Sequence, residues 1–129
     1  MGVLRHTVTG DDTAIAVGSG DVPVLGTPRL LALAEAVCVS ELAPELAEGQ
    51  TSVGTRAQVE HLAATPVGGS VEFTAQIVHR DGRLRRFDVV ASEVLADGRP
   101  GRVVGRVDLT RVIVDRERFI AQATEPAPR

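Results

Sequence analysis

The chain contains no lysine, no tryptophan and no tyrosine, and its 129 residues include only three phenylalanines, Phe73, Phe87 and Phe119. Its core must therefore be built from Val, Leu, Ile and Ala. It also lacks a row of aromatic faces on which bases could stack. All 14 cationic side chains are arginine and are set against 17 acidic ones, for a net charge of −3. That balance offers no basic footprint for a nucleic-acid backbone. The exclusive use of arginine, with abundant Ala, Gly and Val, fits the coding bias of a GC-rich genome and carries no function. The single cysteine, Cys38, excludes an internal disulfide framework and a cysteine metal cluster. No apolar run is long enough to span a bilayer, and Met1 to Asp11 lacks the apolar core of a signal peptide. The expectation is a cytoplasmic protein with no nucleic-acid or membrane partner and no metal.

At this length the chain forms one domain with room for a real core. We place that domain at residues 1–129, with its core at about 3–120 and residues 121–129 as a frayed tail. Leu4 to Val17 holds weak strand candidates broken by Gly10-Asp11-Asp12. Thr27-Pro28 is a helix start, with Thr27 suited to cap and Pro28 needing no N–H partner. The helix is expected from Pro28 to about Ala43, with Pro44 ending it or beginning a short extra turn. The period then switches to two. Val53, Thr55, Ala57, Val59 and His61 share one strand face, and Arg56, Gln58 and Glu60 share the other. A second strand carries Val71, Phe73, Ala75, Ile77 and His79 on one face. Asp81-Gly82 signals a tight hairpin, and two more strands are expected at Leu84 to Leu95 and Arg102 to Val114. One long helix followed by a meander of long strands predicts an α+β hot-dog fold, a central helix wrapped by a curved antiparallel β-sheet. One helix leaves sheet edges uncovered, so a homodimer is expected, with a tetramer as a further assembly.

Glu35 is the anomaly. It stands alone in Leu30-Leu31-Ala32-Leu33-Ala34-Glu35-Ala36-Val37-Cys38-Val39, a stretch otherwise apolar on every side. A helix apolar all round is expected to be buried, and its carboxylate with it. Such a group needs partners or a chemical task. Thr27, Leu31 and Glu35 fall at i, i+4 and i+8 on one side of the helix, and His61 ends the first long strand on the face the helix must cover. Glu35 and His61 are a candidate acid–base pair. The ordinary readings are a helix cap for Thr27 and a core histidine for His61. His6 and His79 are expected to be solvated, and Cys38 to be core.

Residues from Val22 to Phe119 resemble a known family. A Thr and a Glu eight positions apart, Thr27 and Glu35, lie on the helix. Val53-Gly54-Thr55 is followed six positions later by His61, then Leu62-Ala63-Ala64-Thr65-Pro66-Val67-Gly68. Gly105, Arg111, Val112-Ile113-Val114 and Phe119 continue the pattern. These segments are similar to hot-dog thioesterases of the fluoroacetyl-CoA thioesterase type. The resemblance implies Thr27, Glu35 and His61 as the catalytic set, Glu35 as general base or nucleophile, with Gly54 and Arg111 as substrate-binding positions. Gly54 is an odd number of residues from His61, so only its backbone is expected at the site. The resemblance also implies an acyl-CoA thioesterase acting on a small or medium acyl thioester, with coenzyme A as part of the substrate and no separate cofactor. An acyl-CoA or acyl-carrier binding protein of little activity is the alternative. Asp21-Val22-Pro23-Val24-Leu25 stands where the fluoroacetyl-selective enzyme has lid phenylalanines, which argues against fluoroacetyl-CoA as substrate. Leu109-Thr110 stands before Arg111 where the family often has His-Glu.

Overall fold

In the computed structural model, which describes residues 1–126, the alternating segments become one antiparallel sheet. Strands β1 (Gly2–Thr7), β2 (Gln50–His61), β3 (Ser70–Asp81), β4 (Leu84–Val94) and β5 (Pro100–Asp115) lie in the order β1-β3-β4-β5-β2. Gly82 and Arg83 join β3 to β4, and Gly82 takes φ +55°, the left-handed conformation that such tight turns need. The strand registers place Phe73, Ala75, Phe87, Val89, Val107 and Leu109 on one face, all buried.

Against that face lies helix α2 (Thr27–Leu42), the central helix of a hot-dog fold. It buries Leu30, Leu33, Ala34, Val37, Cys38 and Leu42, a stripe at spacings of three and four. Each fully buried Leu or Val contributes about 1.5–3 kcal/mol. The opposite side stays bare: Ala32, Ala36, Val39 and Ser40 are exposed, Val39 by 45%. The helix is therefore not buried all round, as its composition suggests. One sheet can cover only one side of a helix, and the two alanines leave little apolar area in water.

Before α2, a 3-10 turn (Gly10–Asp12) leads into the short helix α1 (Ala14–Val17), capped by the Thr13 hydroxyl and closed by Gly18 at φ +75°. After α2, a 3-10 turn, Ala43–Glu45, carries Pro44 at its second position. There Arg80 and Arg85 of the β3–β4 hairpin clasp Glu45, and chiefly the Arg80 bond holds its carboxyl down at about 2.

The chain end differs from expectation. Helix α3 (Arg116–Thr124) follows β5 directly, so residues 121–124 are helical and not a frayed tail. The backbone N–H of Arg116 donates to the Gly49 carbonyl at 2.9 Å, which ties the start of α3 to the turn before β2. Phe119 and Ile120 are its only large apolar residues, too few to show a helical period. Residues 127–129, the rest of the expected tail, lie outside the described residues. Among the described residues no helix is long and apolar enough to cross a membrane.

Candidate active site

Thr27 opens α2 but does not cap it. Gly26 occupies the cap position and makes no side-chain bond. A glycine suits that place because a β-carbon there would stand 2.9 Å from the Val17 side chain of α1. The Thr27 hydroxyl is thereby free, and it bonds His61 Nδ1 across 2.8 Å. Burial pushes the His61 imidazole below its usual value, with the Ala63 backbone pulling the other way. The ring is therefore neutral near pH 7, with one nitrogen free to accept a proton. Its second nitrogen, Nε2, is buried and has no hydrogen-bond partner among the described residues. Thr27 and His61 stand in the wall of a cavity of about 450 Å³ formed by residues 19–22, 24–26 and 61–64, with Ala14.

Glu35 lies elsewhere. Its carboxylate is 38% exposed, not interior, and its Oε2 accepts from Arg111 Nη1 at 3.0 Å. Arg111 is buried (7% exposed), and each of its three nitrogens donates a hydrogen bond. Its Nε donates to Ser52 Oγ at 2.8 Å and its Nη2 to the Ser52 carbonyl at 2.9 Å. Glu35 lines a separate opening of about 220 Å³ with Gly54, Thr55, Arg56, Ala57 and Leu109. The structure thus joins Thr27 to His61 and Glu35 to Arg111, but it brings neither pair onto the other's cavity. Along α2, eight residues separate Thr27 from Glu35 by about 12 Å.

A β-bulge explains how Gly54 reaches Glu35. Strand β2 pairs Gly54 with Arg111 and Arg56 with Thr110, so Thr55 has no partner. The extra residue reverses the alternation. Gly54 and Ser52 therefore share a face with Ala57, Val59 and His61, whereas Val53 pairs with Val112 on the other. Strict alternation had assigned Val53 and Thr55 to the His61 face and Gly54 away from it. Gly54 thus contributes its face as well as its backbone. A β-carbon on Gly54 would stand 2.8 Å from Glu35 Oε2, closer than such contacts allow.

The model of the fluoroacetyl-CoA-specific thioesterase (FlK) family matches residues 8–117. The chain belongs to this family. It is 31% identical over 105 residues to the fluoroacetyl-CoA thioesterase of Streptantibioticus cattleyicolor, covering 81% of this chain and 71% of that protein. A crystal structure of a variant of the fluoroacetyl-CoA-specific thioesterase FlK, in complex with fluoroacetate and CoA, superposes with a TM-score of 0.86. It has 26% identity and covers 98% of each chain. A Thermus thermophilus thioesterase superfamily member shares the fold, with TM-score 0.84 and 23% identity over 95% of this chain and 86% of that one. Family membership makes the chain a hot-dog thioester hydrolase.

Two features of this thioesterase lie outside the candidate site residues that the sequence singles out. Ser52 holds Arg111, and its only signal was its place two residues before Gly54. Asp12 is the second. It is 3% exposed, and its carboxylate accepts from the Thr9 N–H (2.7 Å), the Thr9 hydroxyl (3.1 Å) and Arg29 Nε (2.7 Å). His6 Nε2 also lies 2.8 Å from it, so His6 is half-buried and engaged instead of solvated. Burial pushes the Asp12 carboxyl up, but the bonds from Thr9, Arg29 and His6 outweigh it and hold the group well below the usual range. The Asp12 carbonyl also accepts from Gly26 N–H at 2.9 Å. One residue thereby anchors β1 and the 3-10 turn to the first turn of α2, beside Thr27. Among the described residues no three His, Cys, Asp or Glu side chains converge to hold a metal ion.

Proposed function

We propose that the protein hydrolyses acyl-CoA thioesters to the carboxylic acid and CoA as a homodimer. In this reading each site combines Thr27 and His61 of one subunit with the partner subunit's Glu35. The observation that carries it is the Thr27 Oγ1–His61 Nδ1 hydrogen bond of 2.8 Å at the cavity wall. Thr27 and Glu35 of one chain lie about 12 Å apart along the helix, too far for direct contact, and they line separate cavities. A second copy packed on the bare side of α2 removes that difficulty. That side presents Pro28, Ala32, Glu35, Ala36 and Val39, and an antiparallel neighbour would set Thr27 opposite the partner subunit's Glu35. Strand β2 supports the same assembly, because it is a 12-residue edge strand with one unpaired side.

Glu35 acts as general base. Arg111 engages its Oε2, leaving Oε1 to take a proton from water as the water oxygen bonds the carbonyl carbon. The tetrahedral oxyanion then collapses and the C–S bond breaks. Glu35 passes the water proton to the neutral His61, aligned by Thr27, and the imidazolium so formed delivers it to the departing thiolate. Arg111 acts by holding Glu35. The chemistry draws only on water and substrate, CoA being part of the latter. We place the protein in the cytoplasm. The support is its lone thiol: Cys38 is buried and, chiefly by burial, is pushed up to about 12, so it neither pairs nor reacts.

Purified protein, a panel of acyl-CoAs and a free-thiol readout test the reading. We expect turnover on at least one member and a loss of about 100-fold or more in Glu35→Gln and in His61→Ala. No thiol release from any member, or full activity in both variants, would overturn it.

A further inference from the structure

The three phenylalanines are all committed away from the site. Phe73 and Phe87 are fully buried in the sheet core, and Phe119 lies on α3. The cavity beside Thr27 and His61 therefore has no phenylalanine in its wall. Its apolar lining comes from Val22, Val24 and Leu25 on one side and Leu62, Ala63 and Ala64 on the other. Val22 and Leu62 are 50% and 53% exposed. Two large aliphatic side chains thus face water on the two segments that flank the hydrogen-bonded pair.

The walls are built in advance. Val24 accepts from the Ala14 N–H and Leu25 donates to the Thr65 carbonyl, both at 2.9 Å. Leu25 and Val24 also form bridges to Thr13 and Pro66. The segment entering α2 is thereby held on both sides. At about 450 Å³ the space is far larger than a two-carbon acyl group needs. Liquid water occupies about 30 Å³ per molecule, so a short acyl group would leave most of the cavity wet. No arginine lines it, and the one charged side chain in its wall is the carboxylate of Asp21. Such a wall offers nothing to an acyl group ending in a second carboxylate and repels it.

We propose that this cavity is the acyl subsite and selects neutral aliphatic acyl groups of medium length, roughly four to eight carbons, over acetyl and fluoroacetyl groups and over dicarboxylic acyl groups. The proposal rests on the thioesterase reading above. Discrimination arises from apolar area removed from water, because no phenylalanine ring or arginine lines the cavity to read a fluorine or a carboxylate. Val22 and Leu62 are then specificity-determining residues at the rim.

The experiment is a chain-length series: acetyl-, fluoroacetyl-, butyryl-, hexanoyl-, octanoyl-, decanoyl- and succinyl-CoA, each read as kcat/KM by thiol release. The expected result is a rise of about 4-fold per added methylene up to a medium length, then a plateau or decline. Succinyl-CoA should fall well below butyryl-CoA. Val22→Phe, at an exposed position that folding tolerates, should lower the hexanoyl-to-acetyl ratio by roughly tenfold, and Leu62→Asp should lower it too. A flat profile, a preference for acetyl- or fluoroacetyl-CoA, or an unchanged ratio in both variants overturns the subsite while leaving a thioesterase. Absence of thiol release from every member overturns the thioesterase reading and the subsite together.

Discussion

Gly54 and Glu35 approach so closely that a β-carbon on the glycine would stand 2.8 Å from the carboxylate Oε2. The strand brings only backbone to this point, and the carboxylate fills the space a side chain would take while bonding Arg111 at 3.0 Å. Gly54→Ala should therefore displace Glu35 from Arg111. The end of a glutamate side chain moves easily, so stability should change by less than about 1 kcal/mol. Activity should fall by roughly 100-fold, because a displacement of about an ångström is enough to spoil attack geometry. Thermal melting and steady-state kinetics on the same preparation check both halves. Unchanged kcat would show that Glu35 does not depend on its seat against the strand.

A site divided between subunits makes a separate prediction. Glu35→Gln and His61→Ala proteins, each inactive alone, should regain activity when unfolded together and refolded as mixed dimers. Half of the dimers would be hybrids, each with one intact site, so about a quarter of wild-type activity is expected. Recovery no greater than the sum of the separate variants would place Thr27, His61 and Glu35 of one chain in the same site.

Acidity should act on His61 at an unusually low pH. Burial lowers its folded value below the ordinary 6.5, so the unfolded chain takes up this proton first as pH falls. Stability from the neutral ring is full above about 6.5 and is lost as pH drops through the folded value. The catalytic consequence has the same direction: the acid limb of kcat/KM should lie below pH 6.5. A limb at or above 6.5 that disappears in the His61 variant would contradict the burial argument.

Asp12 should control stability in acid. Its folded value lies below the ordinary carboxylate value of 3.8, so its contribution is present above about pH 4 and disappears as pH falls through the folded value. Asp12→Asn keeps the shape but removes the charge that Arg29 and His6 face. A loss of about 2 kcal/mol at pH 7 is expected, the scale of hydrogen bonds to charged groups. The difference between the proteins should shrink in strong acid. Denaturant melts at pH 7 and pH 2 measure both, and an equal difference at the two values would contradict this role.

Local patterns in the chain pointed to most of the elements. Thr27-Pro28 marked the helix start within one residue, and Pro44 marked the extra turn. Asp81-Gly82 marked the hairpin, and Val71, Phe73 and Ala75 marked the inward face of β3. These signals are legible because helix starts, turns and half-buried strands depend on residues within a few positions of one another. The bulge at Thr55 escaped because an added residue changes the meaning of every later position without altering the pattern itself. Helix α3 escaped because nine residues with two large apolar side chains carry almost no period.

For Glu35, the sequence by itself determined that a lone carboxylate would sit on an apolar helix, eight residues beyond a threonine and in company with a histidine. Those facts follow from spacing on one helix and one strand. Its surroundings were decided only by the tertiary structure. The guanidinium that holds it comes from a residue 76 positions away, and the glycine that admits it faces the right way only because β2 bulges. Its exposure follows from a sheet that covers one side of α2. Partners that distant are set by strand order and register, which no local pattern encodes.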